Sequence, residues 1–200
     1  MLFRSYGRSH LDFIDAKLTE IKAHGLGVGF QLQGQLPKDE PYTIVDIGGQ
    51  DSKMIMVGGE NVQFVINRKC AAGTGSYIEE LAHRLQIPLA KMAELEKNHD
   101  RDLTLNSYCT VFASQEVIRI LMEGEKVENL IHALYQSVVK RIFEMAPITA
   151  PTVVFSGGVL EYHEALRAAF SRRLGVEKKT ILAPHAQFCG AIGAAVFGRN

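Results

Sequence analysis

The sequence predicts an α/β protein built on a mixed sheet, and three observations carry that prediction. Three short apolar segments joined by glycine turns come first, long helical periodicity follows, and strand and helix then alternate to the C-terminus. The order is βββ, helices, β, α, β, α; an antiparallel meander followed by crossover helices gives a mixed sheet with helices packed against it.

Taken in order, Leu11, Ile14, Leu18 and Ile21 fall at helical spacing and predict a helix over 8–24, while the Gly-, Gln- and Pro-rich stretch 25–41 reads as a connection. Thr43-Ile44-Val45-Asp46-Ile47 is a nearly continuous apolar run, as a strand buried on both faces requires. Met54–Val57 and Val62–Ile66, separated by Gly58-Gly59, complete the meander. Tyr77, Ile78, Leu81, Ala82 and Leu85 share one helical face that Pro88 closes; a polar helix over 88–97, an irregular link over 98–108 and a helix over 112–122 follow. The clearest helix spans 127–143, where nine apolar residues keep the i, i+3, i+4 pattern. A strand at 153–155, a Gly157-Gly158 turn, a helix over 160–173, a strand at 180–182 and a small-residue helix over 190–197 end the chain.

The 200 residues are 46% hydrophobic and 22% charged, an ordinary globular balance. Lys+Arg and Asp+Glu both number 22, which gives no electrostatic reason to expect a nucleic-acid or anionic-membrane partner. No apolar run is long enough to span a bilayer, and the first residues lack a signal-peptide pattern. Cys70, Cys109 and Cys189 are an odd set of three, so reduced thiols in a cytoplasmic protein are expected instead of a disulfide framework.

Two glycine segments and two cysteines carry the chemistry. In Gly48-Gly49-Gln50-Asp51-Ser52 the glycines allow a tight turn and bring amides close to an anion; Asp46 could hold Mg²⁺ through water, and Gln50, Ser52 and Lys53 add donors. A plain Gly-Gly hairpin has the same sequence signature. Ser156-Gly157-Gly158-Val159, between a strand and a helix, offers amides for an anion or a nucleobase edge. Gly190–Ala195 is expected only to pack closely against a neighbour. Cys70 follows Arg68-Lys69 at a helix start and Cys109 precedes another helix; both settings favour thiolate, although isolated cysteines also serve as small buried hydrophobes, as expected of Cys189. No C-x-x-C pair occurs, so two ligands per chain would complete a four-thiolate site only across a twofold axis.

Asp46-Ile-Gly-Gly-Gln-Asp-Ser-Lys53, Asn67-Arg-Lys-Cys-Ala-Ala-Gly-Thr-Gly75, Cys109-Thr-Val-Phe-Ala113 and Ser156-Gly-Gly-Val159 together resemble the BadF/BadG/BcrA/BcrD-type ATPases. These are the reductive activators of 2-hydroxyacyl-CoA dehydratases and the ATP-binding subunits of benzoyl-CoA reductase. The resemblance implies the actin, hexokinase and Hsp70 type of fold, two ribonuclease-H-like halves with nucleotide between them. It implies a [4Fe–4S] cluster bridging a homodimer, with Cys70 and Cys109 as metal ligands from each chain. Asp46, Gly48, Gly49, Gln50, Asp51 and Lys53 match a phosphate segment, with Asp46 as the catalytic acid, and Ser156, Gly157, Gly158 and Val159 match the adenosine segment. The implied work uses ATP/ADP with Mg²⁺: nucleotide turnover changes the angle between subunits, and one low-potential electron passes to a dehydratase or reductase partner that reduces a CoA thioester to a ketyl radical.

The family pattern has a further segment, roughly Asp-x-Gly-Ser-Thr-x-x-Lys, and here Asp46-Ile47-Gly48 is the only Asp-x-Gly. The expectation is therefore one complete nucleotide-binding half over 42–200, with a cluster-ligand insertion about 67–122, and a remnant and connection over 1–41. Tyr162 stands where the family often has Asn, and Ser114-Gln115-Glu116 replaces a more usual Glu-Ser-Glu. Two other readings compete: a non-catalytic binding domain of the same family, and a small-molecule kinase of the same superfamily, which leaves Cys70 and Cys109 without a role.

Overall fold

The computed structural model describes residues 2–3, 16–36, 40–59, 61–67, 70–105 and 109–199. Of the helix expected over 8–24, residues 8–15 fall outside that set; the rest is helical only from Glu20, because Ala16–Lys17 pair as a strand. Strands β1 (Leu2–Phe3) and β2 (Ala16–Lys17) form a short parallel pair. Helix α1 (Glu20–Gln31) follows, and then the meander β3 (Tyr42–Ile47), β4 (Ser52–Gly58) and β5 (Asn61–Asn67). Four helices come next: α2 (Gly75–Arg84), α3 (Leu89–Glu96), α4 (Thr110–Met122) and α5 (Val127–Phe143). The chain closes with β6 (Thr152–Ser156), α6 (Gly158–Tyr162), α7 (Glu164–Leu174), β7 (Lys179–Leu182) and α8 (Cys189–Phe197).

The main sheet has the order β5-β4-β3-β6-β7, with β3–β4 and β4–β5 antiparallel and β3–β6 and β6–β7 parallel. The expected mixed sheet is therefore observed. Side chains alternate across a strand, and here the alternation divides one sheet between two cores. Val45, Ile47, Met54, Val153 and Phe155 face a large core with α2, α3, α4, α5 and α7, while Ile44, Ile55 and Val154 face Val28, Leu32, Ala183 and Cys189 on the other side. Helices on both faces explain why β3 reads as an unbroken apolar run. β5, at the edge, exposes Val62 and Phe64.

Two expectations change. The stretch 25–41 is not all connection, because α1 runs through Gly25, Gly27 and Gly29 to Gln31 and places Val28 and Leu32 in the second core. Glycine lowers intrinsic helicity, but the close crossing of α1 and α8 overrides that preference. A Cβ at Gly27 would lie 1.8 Å from the Cys189 carbonyl oxygen, and one at Gly193 would lie 1.8 Å from that of Ala23. The tight packing expected of the Gly190 segment is thus met, with α1 as the neighbour. The helix expected over 160–173 is two helices that break at His163, whose φ of −103° and ψ of 84° leave the helical region. Arg167 holds the break by donating from its guanidinium to the Leu160 and Glu161 carbonyls.

Candidate functional site

β3 and β6 are parallel neighbours with Asp46 opposite Ser156, so the chain leaves both strands at the same sheet end and in adjacent loops. This is where open α/β sheets collect ligands. The Ser156 hydroxyl donates to Asp46 Oδ2 at 2.8 Å, which ties the two strand ends together. Gly157 has φ +91°, and an added Cβ would meet the Ile47 carbonyl oxygen at 2.4 Å, so the position requires glycine twice over.

The start of α2 is the third element of the site, and its role was not read from the sequence. Thr74, its N-cap, makes no side-chain cap bond to the helix. Instead the hairpin caps it: Gly75 N–H donates to the Gly48 carbonyl at 2.9 Å and Ser76 N–H to the Gly49 carbonyl at 2.8 Å. Gln50 Nε2 donates to Ser76 Oγ at 2.9 Å, Ser76 Oγ to the Gly49 carbonyl at 2.6 Å, and the Ser52 hydroxyl to the Gly73 carbonyl. The glycine hairpin is therefore hydrogen-bonded along its length to the segment that follows Cys70.

Between these parts lies a cleft of about 450 Å³, lined by Gly49, Gly75, Gly158, Val159, Tyr162, His163 and Gln187, with Leu89, Ala90 and Ala93 of α3 and Glu79 of α2 completing the wall. Gly49, Gly158 and Val159 are expected site residues. α6 has only five residues, so its contribution is local amides more than a helix dipole.

Asp46 and Lys53 lie beneath the hairpin, each 2% exposed. Lys53 Nζ is 2.5 Å from Asp51 Oδ1, 3.3 Å from Glu20 Oε1 and 3.4 Å from Asp46 Oδ1. Its ammonium is thus shared among three carboxylates, partners that the sequence expectation of a donor for phosphate oxygens did not include. His24 Nδ1 sits 3.3 Å from Asp46 Oδ2. Burial alone lowers the Lys53 ammonium, but the charge of Asp46, the hydrogen bond to Asp51 and the charge of Glu20 outweigh it and raise the group above its ordinary value.

A hydrogen bond from His24, against an opposing burial effect and with help from Lys53, lowers Glu20 from 4.5 to about 2. A depressed carboxylate contributes stability that is present above its unfolded value and lost as pH falls through its folded value. Glu20→Gln should therefore lower stability at pH 7 by about 1–2 kcal/mol, after allowance for partial exposure. Chemical denaturation should show the gap between wild type and variant closing as pH falls from 4.5 towards 2. A gap constant across that window would refute this account.

Cys70 is half-buried and precedes α2, Cys109 is exposed as the N-cap residue of α4, and α2 and α4 pack against each other. Both thiols are soft donors, Cys109 at the start of α4 and Cys70 four residues ahead of the α2 N-cap Thr74, which suits iron–sulfur ligation. Arg68 and Lys69 lie outside the described residues. Cys189 is buried, accepts from Gln31 Nε2 at 3.2 Å, and has its thiol pushed up by burial, which makes it unreactive.

Away from the cleft, Glu96, His99 and His132 bring three ligand-type atoms within 4.8 Å of one another. The two imidazoles stack with centroids 3.7 Å apart and planes 12° apart. Imidazole lone pairs lie in the ring plane, so stacked rings cannot both address one ion. His132 instead links α3 and α5 by Nδ1 to Glu96 Oε1 at 2.8 Å.

A mixed sheet with helices on both faces and glycine turns at adjacent strand ends defines the actin, hexokinase and Hsp70 type of fold. The chain belongs to the BadF/BadG/BcrA/BcrD ATPase family, whose model matches residues 1–198. It is 36% identical over 200 residues to the (R)-2-hydroxyglutaryl-CoA dehydratase activating ATPase of Acidaminococcus fermentans, covering 98% of this chain and 74% of the relative. The crystal structure of component A of the Acidaminococcus fermentans (R)-2-hydroxyglutaryl-CoA dehydratase superposes with a TM-score of 0.85 at 34% identity, covering 98% and 74% of the two chains. The activator of the 2-hydroxyisocaproyl-CoA dehydratase from Clostridium difficile with bound ADPNP gives 0.81 at 30% identity, covering 98% and 71%. Among the described residues no helix is long and apolar enough to cross a membrane.

Proposed function

We propose that this chain works as an ATP-dependent reductive activator, delivering a low-potential electron to a 2-hydroxyacyl-CoA dehydratase or benzoyl-CoA reductase type of partner. The supporting observation is the hydrogen-bonded junction between the glycine hairpin and the Cys70–Ser76 segment. A change in the hairpin on binding MgATP would be passed directly to the segment that carries one of the two accessible thiols. The relatives act as dehydratase activators and one solved relative holds a non-hydrolysable ATP analogue, which supports the same reading.

In this reading the cleft takes ATP or ADP with Mg²⁺. The amide of Gly49 approaches the phosphates, Gly48 (whose own amide closes the hairpin on the Asp51 carbonyl), Gln50, Asp51 and Ser52 shape the hairpin, and the Ser156–Gly158 turn faces the nucleoside. Asp46, held by Ser156 and Lys53, is the candidate acid, and Val159 packs on the nucleoside. Cys70 and Cys109 from each of two chains would hold one [4Fe–4S] cluster, which supplies one-electron chemistry when bound. Residues 42–200 form the nucleotide-binding half in this assignment, with the cluster-ligand insertion over about 67–122.

The test is electron delivery by anaerobically reconstituted, prereduced protein to a dehydratase partner. Transfer should require MgATP, and Ser76→Ala should weaken that requirement's grip, lowering the ATP-dependent rate about tenfold with iron content unchanged. Transfer that proceeds equally without nucleotide would overturn the proposal.

A further inference from the structure

His163 occupies the break between α6 and α7 and lines the cleft together with Tyr162, Val159 and Gln187 and the apolar residues Leu89, Ala90 and Ala93 of α3. His163 follows closely on the Ser156–Val159 segment, which the proposed function assigns to the nucleoside, so it is placed to meet the part of a nucleotide that is not phosphate.

Its ring is held from behind by a residue remote in sequence. Tyr135, fully buried in the middle of α5, has its hydroxyl 2.9 Å from His163 Nδ1. The rings meet edge to face, with centroids 5.8 Å apart and planes at 80°. Among the described residues the hydroxyl has no other hydrogen-bond partner. A phenol O–H that donates to Nδ1 satisfies both groups, whereas an Nδ1–H donating to the phenol would strand a buried O–H. Burial, followed by the negative charge of Glu96, holds the Tyr135 phenol far above its ordinary range, so it keeps its proton. Burial, followed by the positive charge of Arg167, lowers His163 and keeps its imidazole neutral. A neutral imidazole that accepts at Nδ1 carries its proton on Nε2.

The backbone is equally constrained. His163 N–H donates to the Val159 carbonyl at 3.0 Å, and Arg167 N–H donates to the His163 carbonyl at 3.1 Å. The Arg167 guanidinium closes on the Leu160 and Glu161 carbonyls, so the break cannot unwind without breaking those bonds.

We propose that His163 is a nucleoside-reading residue, its Nε2–H donating to a ring nitrogen of the base or an oxygen of the ribose, with Tyr135 as the positioning residue that fixes the tautomer. The proposal rests on the cleft being the nucleotide site. A donor-only group in the lining of a cleft favours a ligand edge that carries a lone pair and rejects one that carries a hydrogen.

The experiment has two arms on the full chain. Nitrogen-15 NMR of labelled histidine should show a pyridine-type Nδ1 and a pyrrole-type Nε2 for His163, and Tyr135→Phe should return the ring to a mixture of tautomers. Calorimetry with MgADP and with inorganic tripolyphosphate should show His163→Leu losing about tenfold in affinity for MgADP and nothing for tripolyphosphate. His163→Gln, which restores a donor, should recover most of the loss. A wild-type ring protonated at Nδ1, or MgADP bound equally well by His163→Leu, overturns the inference alone. Wild-type protein that binds tripolyphosphate but gains nothing from the nucleoside overturns the nucleotide reading as well. If His163→Leu fails to fold, the Tyr135→Phe spectrum and the His163→Gln affinity decide the matter.

Discussion

Cys70→Ser and Cys109→Ser should each leave anaerobically reconstituted protein colourless and essentially free of iron, whereas Cys189→Ser should remain brown with about two irons per chain. The expected loss is total because, in the proposed function, two chains would share one cluster. One substitution removes a soft thiolate from each chain, so half of four ligands disappear together. Stability offers no competing explanation, since Cys70 is half-buried and Cys109 exposed, and substitutions at such positions usually change stability by less than about 0.5 kcal/mol. Cys189 is the reverse case: its burial and the hydrogen bond from Gln31 make a serine there a packing change, with iron retained. Iron content, thiolate-to-iron absorbance and size-exclusion mass on the same samples check this. Undiminished iron in Cys109→Ser would end the cluster assignment.

The parts of this arrangement that were legible in the sequence are those written in side-chain periodicity. α5 was found to the residue because its apolar stripe faces one large core, and β3 was found because both its faces are covered. The glycine turns were legible as turns, and the parallel pairing of β3 with β6 brings two of them together as the element order required. The bonds between the hairpin and α2 were not legible, because they join carbonyls of Gly48 and Gly49 to amides of Gly75 and Ser76, and any residue has those groups. Lys53 was legible only as a cation beside a glycine hairpin. Its three carboxylate partners include Glu20 of α1, which sequence distance separates from the hairpin. His163 was missed for a related reason: its meaning depends on Tyr135, 28 residues away. α1 was truncated at its glycines because propensity is a weak prior, and the packing that overrides it comes from the far end of the chain.

Those glycines should respond to alanine with opposite signs within one helix. At Gly27 the added Cβ would lie 1.8 Å from the Cys189 carbonyl oxygen, and at Gly193 it would lie 1.8 Å from the Ala23 carbonyl oxygen. The opposing atoms are backbone, so no side chain can turn aside, and α1 and α8 must separate. Separation loosens the core that holds Val28, Leu32, Ile44, Val154 and Ala183. Gly27→Ala or Gly193→Ala should therefore lose about 3 kcal/mol or more, at the upper end for overpacking, and lower Tm by about 6–12 °C. Gly25 and Gly29 have nothing within 4 Å of an added Cβ, so alanine there should gain about 0.5–1 kcal/mol from helix propensity. Thermal melts of the four variants settle it, and equal stability of Gly27→Ala and Gly29→Ala would refute the crossing. The damage should also reach the site, because Glu20 and His24 ride on the same helix and contact Lys53 and Asp46 under the hairpin. Gly27→Ala should weaken MgADP binding even at temperatures where it remains folded, while Gly29→Ala should leave it unchanged.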